Sequence, residues 1–338
     1  MKRKCFKSGD VSSRISDRIA IIILLGFMAL QFSCKKEENN LGIVWNLSPT
    51  MTATLDNGVL TISTNKDAEA MPDYDMDAPP WEDEKNNIFS VVIEKSVISV
   101  GNSAFRECNL TSVSLSGSVI SIGDWAFTRC FSLASISIPN SVTSIGEYTF
   151  LGCGFTSITI PGSMTSIGFR AFSSCNDLQV INVDAGNPAY SSEAGVLYNK
   201  NMTTLILYPQ MKSNSTFSIP NSVITVGDWA FSVSNWDSRL SSITIPNSVT
   251  TIGEFAFSYC DLLSSLTIPA SVKTIGTSAF YFCNELQDVS VGWTDPLPVP
   301  DIFPSLNLSS MKLYVPTGTK ARYAAADVWM DFGTIIEK

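Results

Sequence analysis

Cysteine offers the first chemistry in this chain. Cys108, Cys130, Cys153, Cys175, Cys260 and Cys283 each stand three residues after a phenylalanine, and Ser234 takes that place in a seventh copy. A thiolate can attack an electrophile or ligate a metal. If the copies stack as coils about 4.8 Å apart, successive cysteines fall within the Cα range of a disulfide. Equivalent side chains in such a ladder point in parallel, however, and a single file does not converge on a metal ion. Buried free thiols are the reading that this geometry favours. Occasional disulfides between coils, or a nucleophile or metal ligand, are the alternatives.

Two other groups carry candidate chemistry. Asp73, Asp75, Asp77 and Glu84 fall at positions 1, 3, 5 and 12 of a calcium-loop spacing. Ala78 stands where the sharp turn wants glycine, and Pro80 removes a backbone donor. An acidic, proline-broken loop is therefore the plainer reading, with weak calcium binding as the alternative. The second group is a variable position two residues after a recurring glycine, held by Ser103, Trp125, Tyr148, Arg170, Trp229, Phe255 and Ser278. Trp125, Tyr148, Trp229 and Phe255 would align along one ridge. They either stack on one another and stiffen a turn, or form a contact stripe for a protein or glycan partner. The Ser/Thr-rich outward face of the strands is the rival surface.

What is missing narrows the chemistry further. The 338 residues include no histidine, which removes Ser-His-Asp and Cys-His catalysis and every histidine-ligated metal site. No phosphate-binding glycine loop and no Gly-x-Ser-x-Gly elbow is present. No enzymatic activity and no cofactor is expected. The first 33 residues carry six basic and two acidic residues, so the overall charge of −9 leaves −13 on the remainder. Such a surface repels phosphate backbones, and no nucleic-acid partner is expected.

The elements that position these residues come from a repeat. Val119, Ile122, Gly123, Ala126, Phe127 and Cys130 form a string that recurs from Val97, Val142, Met164, Val223, Val249 and Val272. Successive starts lie 22, 23, 22, 59, 26 and 23 residues apart, which gives seven copies with one long insertion. Alternation in Ser157 to Ile160 predicts a strand with isoleucine inward and hydroxyls outward. Pro139, Pro161, Pro220, Pro246 and Pro269 close such strands. The segment Val-x-x-Ile-Gly predicts a second short extended piece, its glycine allowing the turn that follows. Ala-Phe then fills the interior at a tight helical or 3₁₀ turn. One repeat buries too little apolar surface to offset the entropy of ordering it, so the copies must stack into a solenoid.

The string Ile-Pro-Asn-Ser-Val-Thr-x-Ile-Gly-x-x-Ala-Phe-x-x-Cys resembles the BspA-type leucine-rich repeat of bacterial surface proteins. Met51 to Ile62, with Ala70 to Tyr74 and Pro80-Trp81, is similar to that family's amino-terminal cap; its Asp56-Asn57-Gly58 independently predicts a hairpin. Gly195 to Pro209 is similar to the family's two-stranded insertion. Leu313 to Gly318 and Tyr323 to Trp329 resemble the carboxy-terminal cap, with a short helix predicted over Thr319 to Val328. The implied fold is a mainly β, right-handed leucine-rich-repeat solenoid with parallel strand ladders, a β-hairpin N-terminal cap and a short helical C-terminal cap.

The amino terminus reads as an address. Six basic residues precede an apolar run from Ile19 to Leu30, too short for a bilayer span but suited to a signal peptide. The run ends at Ser33-Cys34, which looks like a bacterial lipobox with Gln31 where leucine is usual. Cys34 is thus the expected site of lipid attachment, with plain secretion as the alternative. Lys35 to Glu38 resembles the export signal of Bacteroidetes surface lipoproteins. The expected organisation is a signal peptide (1–33), a lipidated stalk (34–47), the N-terminal β cap (48–94), repeats 1–4 (95–183), the insertion (184–217), repeats 5–7 (218–293) and the C-terminal cap (294–338). Family resemblance implies an outer-membrane lipoprotein exposed on the cell surface, adhering to a host matrix protein or cell-surface glycoprotein. The alternative is a carbohydrate-capturing component of a nutrient-uptake system.

Overall fold

The structure, a computed structural model, describes residues 37–39, 42–74, 78–233 and 239–338. Cys34, Asp75, Asp77 and Ser234 lie outside the described residues, as does the segment read as a signal peptide. The chain from residue 42 onward is a mainly β solenoid built of parallel ladders.

Each coil has three sides. The first carries a strand of three to six residues. Val59–Thr64, Ser90–Ile93 and Ser112–Leu115 pair in parallel, as do Asp288–Val291, Lys312–Val315 and Thr334–Glu337 toward the other end. Alternation decides which residues enter the core: Ile158 and Ile160 are buried while Ser157 and Thr159 are exposed. The second side is a two-residue strand stacked in register, as in Ser121–Ile122, Ser144–Ile145 and Ser166–Ile167. Each of the seven copies contributes its Val-x-x-Ile segment to this second side, the first as the longer strand Val97–Val100.

In the described repeats the third side is neither helix nor 3₁₀ turn, though the cap coil before them carries a 3₁₀ helix at Glu82–Asn87. Every second amide donates to the next coil: Trp125, Phe127 and Arg129 to the carbonyls of Glu147, Thr149 and Leu151, at 2.9, 2.9 and 2.6 Å. The amides between them close turns within the coil, as Thr128 does on Trp125. This ladder runs only because two residues per turn adopt left-handed backbone, such as Trp125 (φ 58°) and Arg129 (φ 58°).

That geometry corrects the expected role of the repeat glycine. Gly123, Gly146, Gly168, Gly253 and Gly276 are not among the positive-φ residues. Their requirement is proximity. A Cβ on Gly146 would sit 2.2 Å from Asp124 Oδ1 and 2.6 Å from its backbone nitrogen, and one on Gly168 would sit 2.2 Å from the Gly146 carbonyl carbon. The coils touch backbone to backbone at this column, and the left-handed turn falls two residues later on a large side chain.

Inside, phenylalanine rings stack from coil to coil. Trp81, Phe105, Phe127, Phe150 and Phe172 run at 5.4 to 5.7 Å. Tyr208, Phe231, Phe257, Phe280 and Phe303 continue at 4.9 to 5.4 Å. The buried side chains accordingly form two clusters, one reaching Leu197 and the other beginning at Val196.

Three local expectations change. Ser135 to Ile138 has the strand alternation but forms no strand. Its path from Cys130 to Ile138 is one residue longer than those from Cys108 to Leu115 and from Cys153 to Ile160 on either side. The insertion carries three strands rather than two. Tyr190–Glu193, Val196–Asn199 and Thr204–Leu207 form an antiparallel meander, and the third rejoins the short-strand ladder beside Thr225–Val226. The terminal helix is one turn, Lys320–Tyr323, rather than Thr319 to Val328. The chain swings out of it so that Val328 (φ 66°) delivers Trp329 into the core, where its Nε1 donates to the Leu297 carbonyl at 2.8 Å. The predicted hairpin forms as read, with Asn57 (φ 47°) and Gly58 (φ 81°) both left-handed, the requirement of a type I′ turn.

In the cap, the Glu69 carboxylate accepts hydroxyl bonds from Thr64, Ser48 and Thr50, with Lys66 alongside. These contacts, Thr64 foremost, lower its pKa to about 2.

Two outcomes follow from these contacts. Gly146→Ala should destabilise the protein by about 1–3 kcal/mol, because backbone on the opposing coil must move; an unchanged thermal unfolding midpoint would show that the coils are not held this close. Glu69 is depressed below its unfolded value, about 4.3, so its contribution is present above that pH and is lost as pH falls through about 2. Glu69→Gln should therefore flatten the melting temperature against pH between these limits, measured by circular dichroism.

Candidate functional site: an aromatic ridge on the turn ladder

The left-handed position of the third side is the column read from sequence as aromatic. Ser103, Trp125, Tyr148, Arg170, Trp229, Phe255 and Ser278 all have φ between 51° and 59°. Bulky residues rarely adopt this backbone, and here the inter-coil hydrogen bonds hold them in it. The conformation turns their side chains along the solenoid axis and into one another.

The result is one continuous stack. Trp125 and Tyr148 lie 4.2 Å apart at 20°, and Trp229 and Phe255 lie 4.2 Å apart at 14°. Arg170 joins the two pairs, its guanidinium 5.6 Å from the Tyr148 ring and 4.0 Å from the Trp229 ring. Tyr281 then meets the Phe255 ring edge-on at 6.0 Å. Sequence reasoning named the four aromatics but not the part Arg170 plays. A guanidinium stacks on aromatic faces, and its place in the same repeat column was the available signal. All five side chains are half-buried. Both faces of Trp229 are covered, while no second ring stacks on Trp125 among the described residues. The column thus offers solvent a row of ring edges.

A second ridge follows four residues later in each turn. There Lys85, Glu107 and Arg129 form ion pairs at 3.5 and 3.0 Å, and Tyr259 stacks on Phe282 at 5.3 Å. These pairs are surface electrostatics of small individual weight.

The cysteines resolve as free thiols. All six are buried. The Sγ of Cys130, Cys153, Cys175 and Cys283 donates to the phenylalanine carbonyl of the preceding coil, at 3.1 to 3.2 Å. Burial pushes the thiols of Cys108, Cys175 and Cys283 up to about 12 and the other three well above the usual value. A thiol so suppressed supplies no thiolate at neutral pH. Of the acidic loop, Asp73 accepts the Asn102 amide at 2.8 Å and Glu84 accepts from Asn87 at 2.9 Å. Among the described residues no cluster of ligating side chains could hold a metal ion.

One feature was invisible in the sequence. The insertion interrupts the turn ladder after Arg170, leaving a cavity of about 270 Å³ lined by Phe169, Arg170, Tyr190, Ile206, Leu207 and Trp229 among others. It lies between residues 59 apart in sequence, brought into adjacent coils only by stacking.

Two measurements check this arrangement. Trp229→Ser removes a ring stack and a cation–π contact and should cost about 1–3 kcal/mol; Trp125→Ser removes one stack and should cost about 1 kcal/mol. Equal melting temperatures for both variants and the wild type would show that the rings do not brace the turn. In the native protein the thiols should resist a thiol reagent at neutral pH, whereas denaturation without reductant should release all six; a deficit would reveal bridges between coils.

Residues 84–194 and 207–295 match the BspA type leucine rich repeat region in six copies. No curated protein matches the chain. Among solved structures, a leucine-rich repeat protein from Eubacterium ventriosum is 29% identical, with a TM-score of 0.70 over 87% of this chain and 84% of that one. The pneumococcal vaccine antigen PcpA shares the fold at 16% identity and TM-score 0.57, over 89% of this chain and all of that one. A Bacteroides ovatus leucine-rich repeat protein does so at 21% and 0.53, over 87% and 76%. The repeat match covers more than half of the sequence, and the repeated unit is the one that builds the glycine, phenylalanine and cysteine columns described above. The chain belongs to the BspA-type leucine-rich repeat family.

Proposed function

We propose that this protein is a cell-surface adhesin that binds protein or glycoprotein ligands of host matrix or of other cells, with the aromatic ridge as its contact surface. The observation that carries this reading is the half-buried stack from Trp125 to Phe255, an extended row of ring edges with a guanidinium in its midst. Tryptophan, tyrosine and arginine are the residues that dominate binding energy at protein interfaces. The ridge is also braced before a partner arrives, so little side-chain entropy is lost on contact. Carbohydrate capture on this column is the weaker alternative. A pyranose docks flat on an open ring face, and Trp229 has none.

Cys34 is the proposed lipid attachment, tethering the solenoid to the outer membrane with its body facing outward. The Ile19 to Leu30 run and the Ser33-Cys34 pair support it. Cys34→Ala should abolish fatty-acid labelling and release the protein from membranes; persistent membrane fractionation would point to an uncleaved apolar segment instead.

The adhesion reading is tested by capture of the full-length chain on immobilised matrix proteins. Trp125→Ser, the variant costing the least stability, should weaken capture by more than tenfold, the usual weight of an aromatic anchor. Capture should also survive glycosidase treatment of the matrix. Unchanged capture by the variant would move the site to the Ser/Thr face, and loss after glycosidase would favour glycan recognition.

A further inference from the structure

The cavity beside the insertion has the hydrogen-bonding pattern of a missing coil. One step earlier in the turn ladder, the amides of Tyr148, Phe150 and Gly152 donate to the carbonyls of Phe169, Ala171 and Ser173. At the next step the amides of Arg170 and Phe172 have no partner among the described residues. Both residues line the cavity, beside which the next coil runs as the strand Thr204–Leu207. On the opposite wall, Tyr208 donates to the Ala230 carbonyl at 2.8 Å, while the Asp228 carbonyl receives no bond from the described residues. The phenylalanine column breaks at the same place, between Phe172 and Tyr208.

The side chains around this gap define what fits. Ile167, Phe169, Ile206 and Leu207 make an apolar lining, with Phe169 44% exposed at the rim. The Arg170 guanidinium crosses the mouth between Tyr148 and Trp229, and its Nε donates to Ser173 Oγ at 3.3 Å. Among the described residues it has no carboxylate partner. Two amides and a guanidinium call for an anionic acceptor, and the apolar lining calls for one hydrophobic group. The volume of about 270 Å³ falls below the range of drug-sized sites, about 300–1,000 Å³, and holds a single side chain with its terminal group. Asp228 also lines the gap, its Oδ1 accepting the Glu254 amide at 2.8 Å, and the mature surface is acidic overall. A polyanion is therefore repelled where one carboxylate is accepted.

We propose that this gap captures the free carboxyl terminus of a peptide ending in an apolar residue. The terminal carboxylate takes the amides of Arg170 and Phe172 and the guanidinium. The last side chain lies on Ile206 and Leu207, and an upstream peptide N–H donates to the Asp228 carbonyl. Backbone pairing that replaces a missing segment is a general mode of peptide recognition, as is capture of a terminal carboxylate by clustered amides. The proposal deepens the adhesin reading by naming a ligand chemistry beside the ridge.

The test uses the full-length chain and fluorescein-labelled pentapeptides Gly-Gly-Ser-Ala-X, with X leucine, valine or phenylalanine, as free acids and as amides. At least one free acid should bind by fluorescence polarisation, with its amide at least tenfold weaker. Arg170→Gln should weaken binding at least tenfold, and Ile206→Trp should abolish it by filling the cavity with Arg170 intact. Melting temperatures accompany both variants, and if one fails to fold the other decides. No binding by any acid, equal binding of acid and amide, or binding unaltered in a folded variant overturns the proposal. So does N-acetylneuraminic acid outcompeting the peptides, which would make the site one for acidic sugars. Matrix capture that persists when peptide binding fails leaves the adhesin reading standing; peptide binding without matrix capture does the reverse.

Discussion

The column of repeat glycines sets the distance on which everything else depends. At Gly123, Gly146, Gly168, Gly253 and Gly276 the coils meet at separations that no Cβ tolerates. That approach lets Asn102 Oδ1 take the Asp124 amide and Asp124 Oδ1 take the Glu147 amide, at 2.8 and 2.7 Å, stitching each coil to the next. It also brings turns close enough to share hydrogen bonds, so a stretch without helix or strand still satisfies its buried backbone. Stacked phenylalanines and buried thiols then fill the interior at the same pitch. The cysteine is a small apolar residue whose S–H finds a carbonyl, which is why its chemistry is silent.

The shared turn bonds have a consequence at the surface. Holding Trp125, Tyr148, Trp229 and Phe255 in left-handed backbone costs strain, which the ladder and the stack together offset. Most ring faces of the column meet each other or the Arg170 guanidinium. What remains outward is stiff and amphipathic. Such a surface suits flat contact with a protein better than the cradling of a sugar, and the ridge is therefore both brace and candidate interface.

The insertion creates a concave site beside the turn ladder. Where the phenylalanine column is continuous, stacked rings fill the interior from coil to coil. Where the meander of Tyr190–Glu193, Val196–Asn199 and Thr204–Leu207 replaces a regular coil, the short-strand ladder continues but the turn ladder does not. One side of the coil heals and another stays open. Arg170 spans the opening because its side chain is long enough to reach the next ring.

The sequence by itself determined the repeat, the strand faces, the seven copies, the hairpin at Asn57-Gly58 and the alignment of the cysteines and aromatics. These follow from local rules: alternation by two, proline at strand ends, glycine at fixed intervals. The tertiary structure decided the rest. The glycines proved to serve close approach rather than turn conformation, because the clashing atoms belong to another coil. Ser135 to Ile138 forms no strand although its alternation is intact, and the terminal helix stopped at Tyr323 because Trp329 is pulled into the core. The cavity beside Arg170 joins residues far apart in the chain, and its unpaired amides exist only because a neighbouring coil lacks its turn. No window of sequence records a hydrogen bond that is missing between coils.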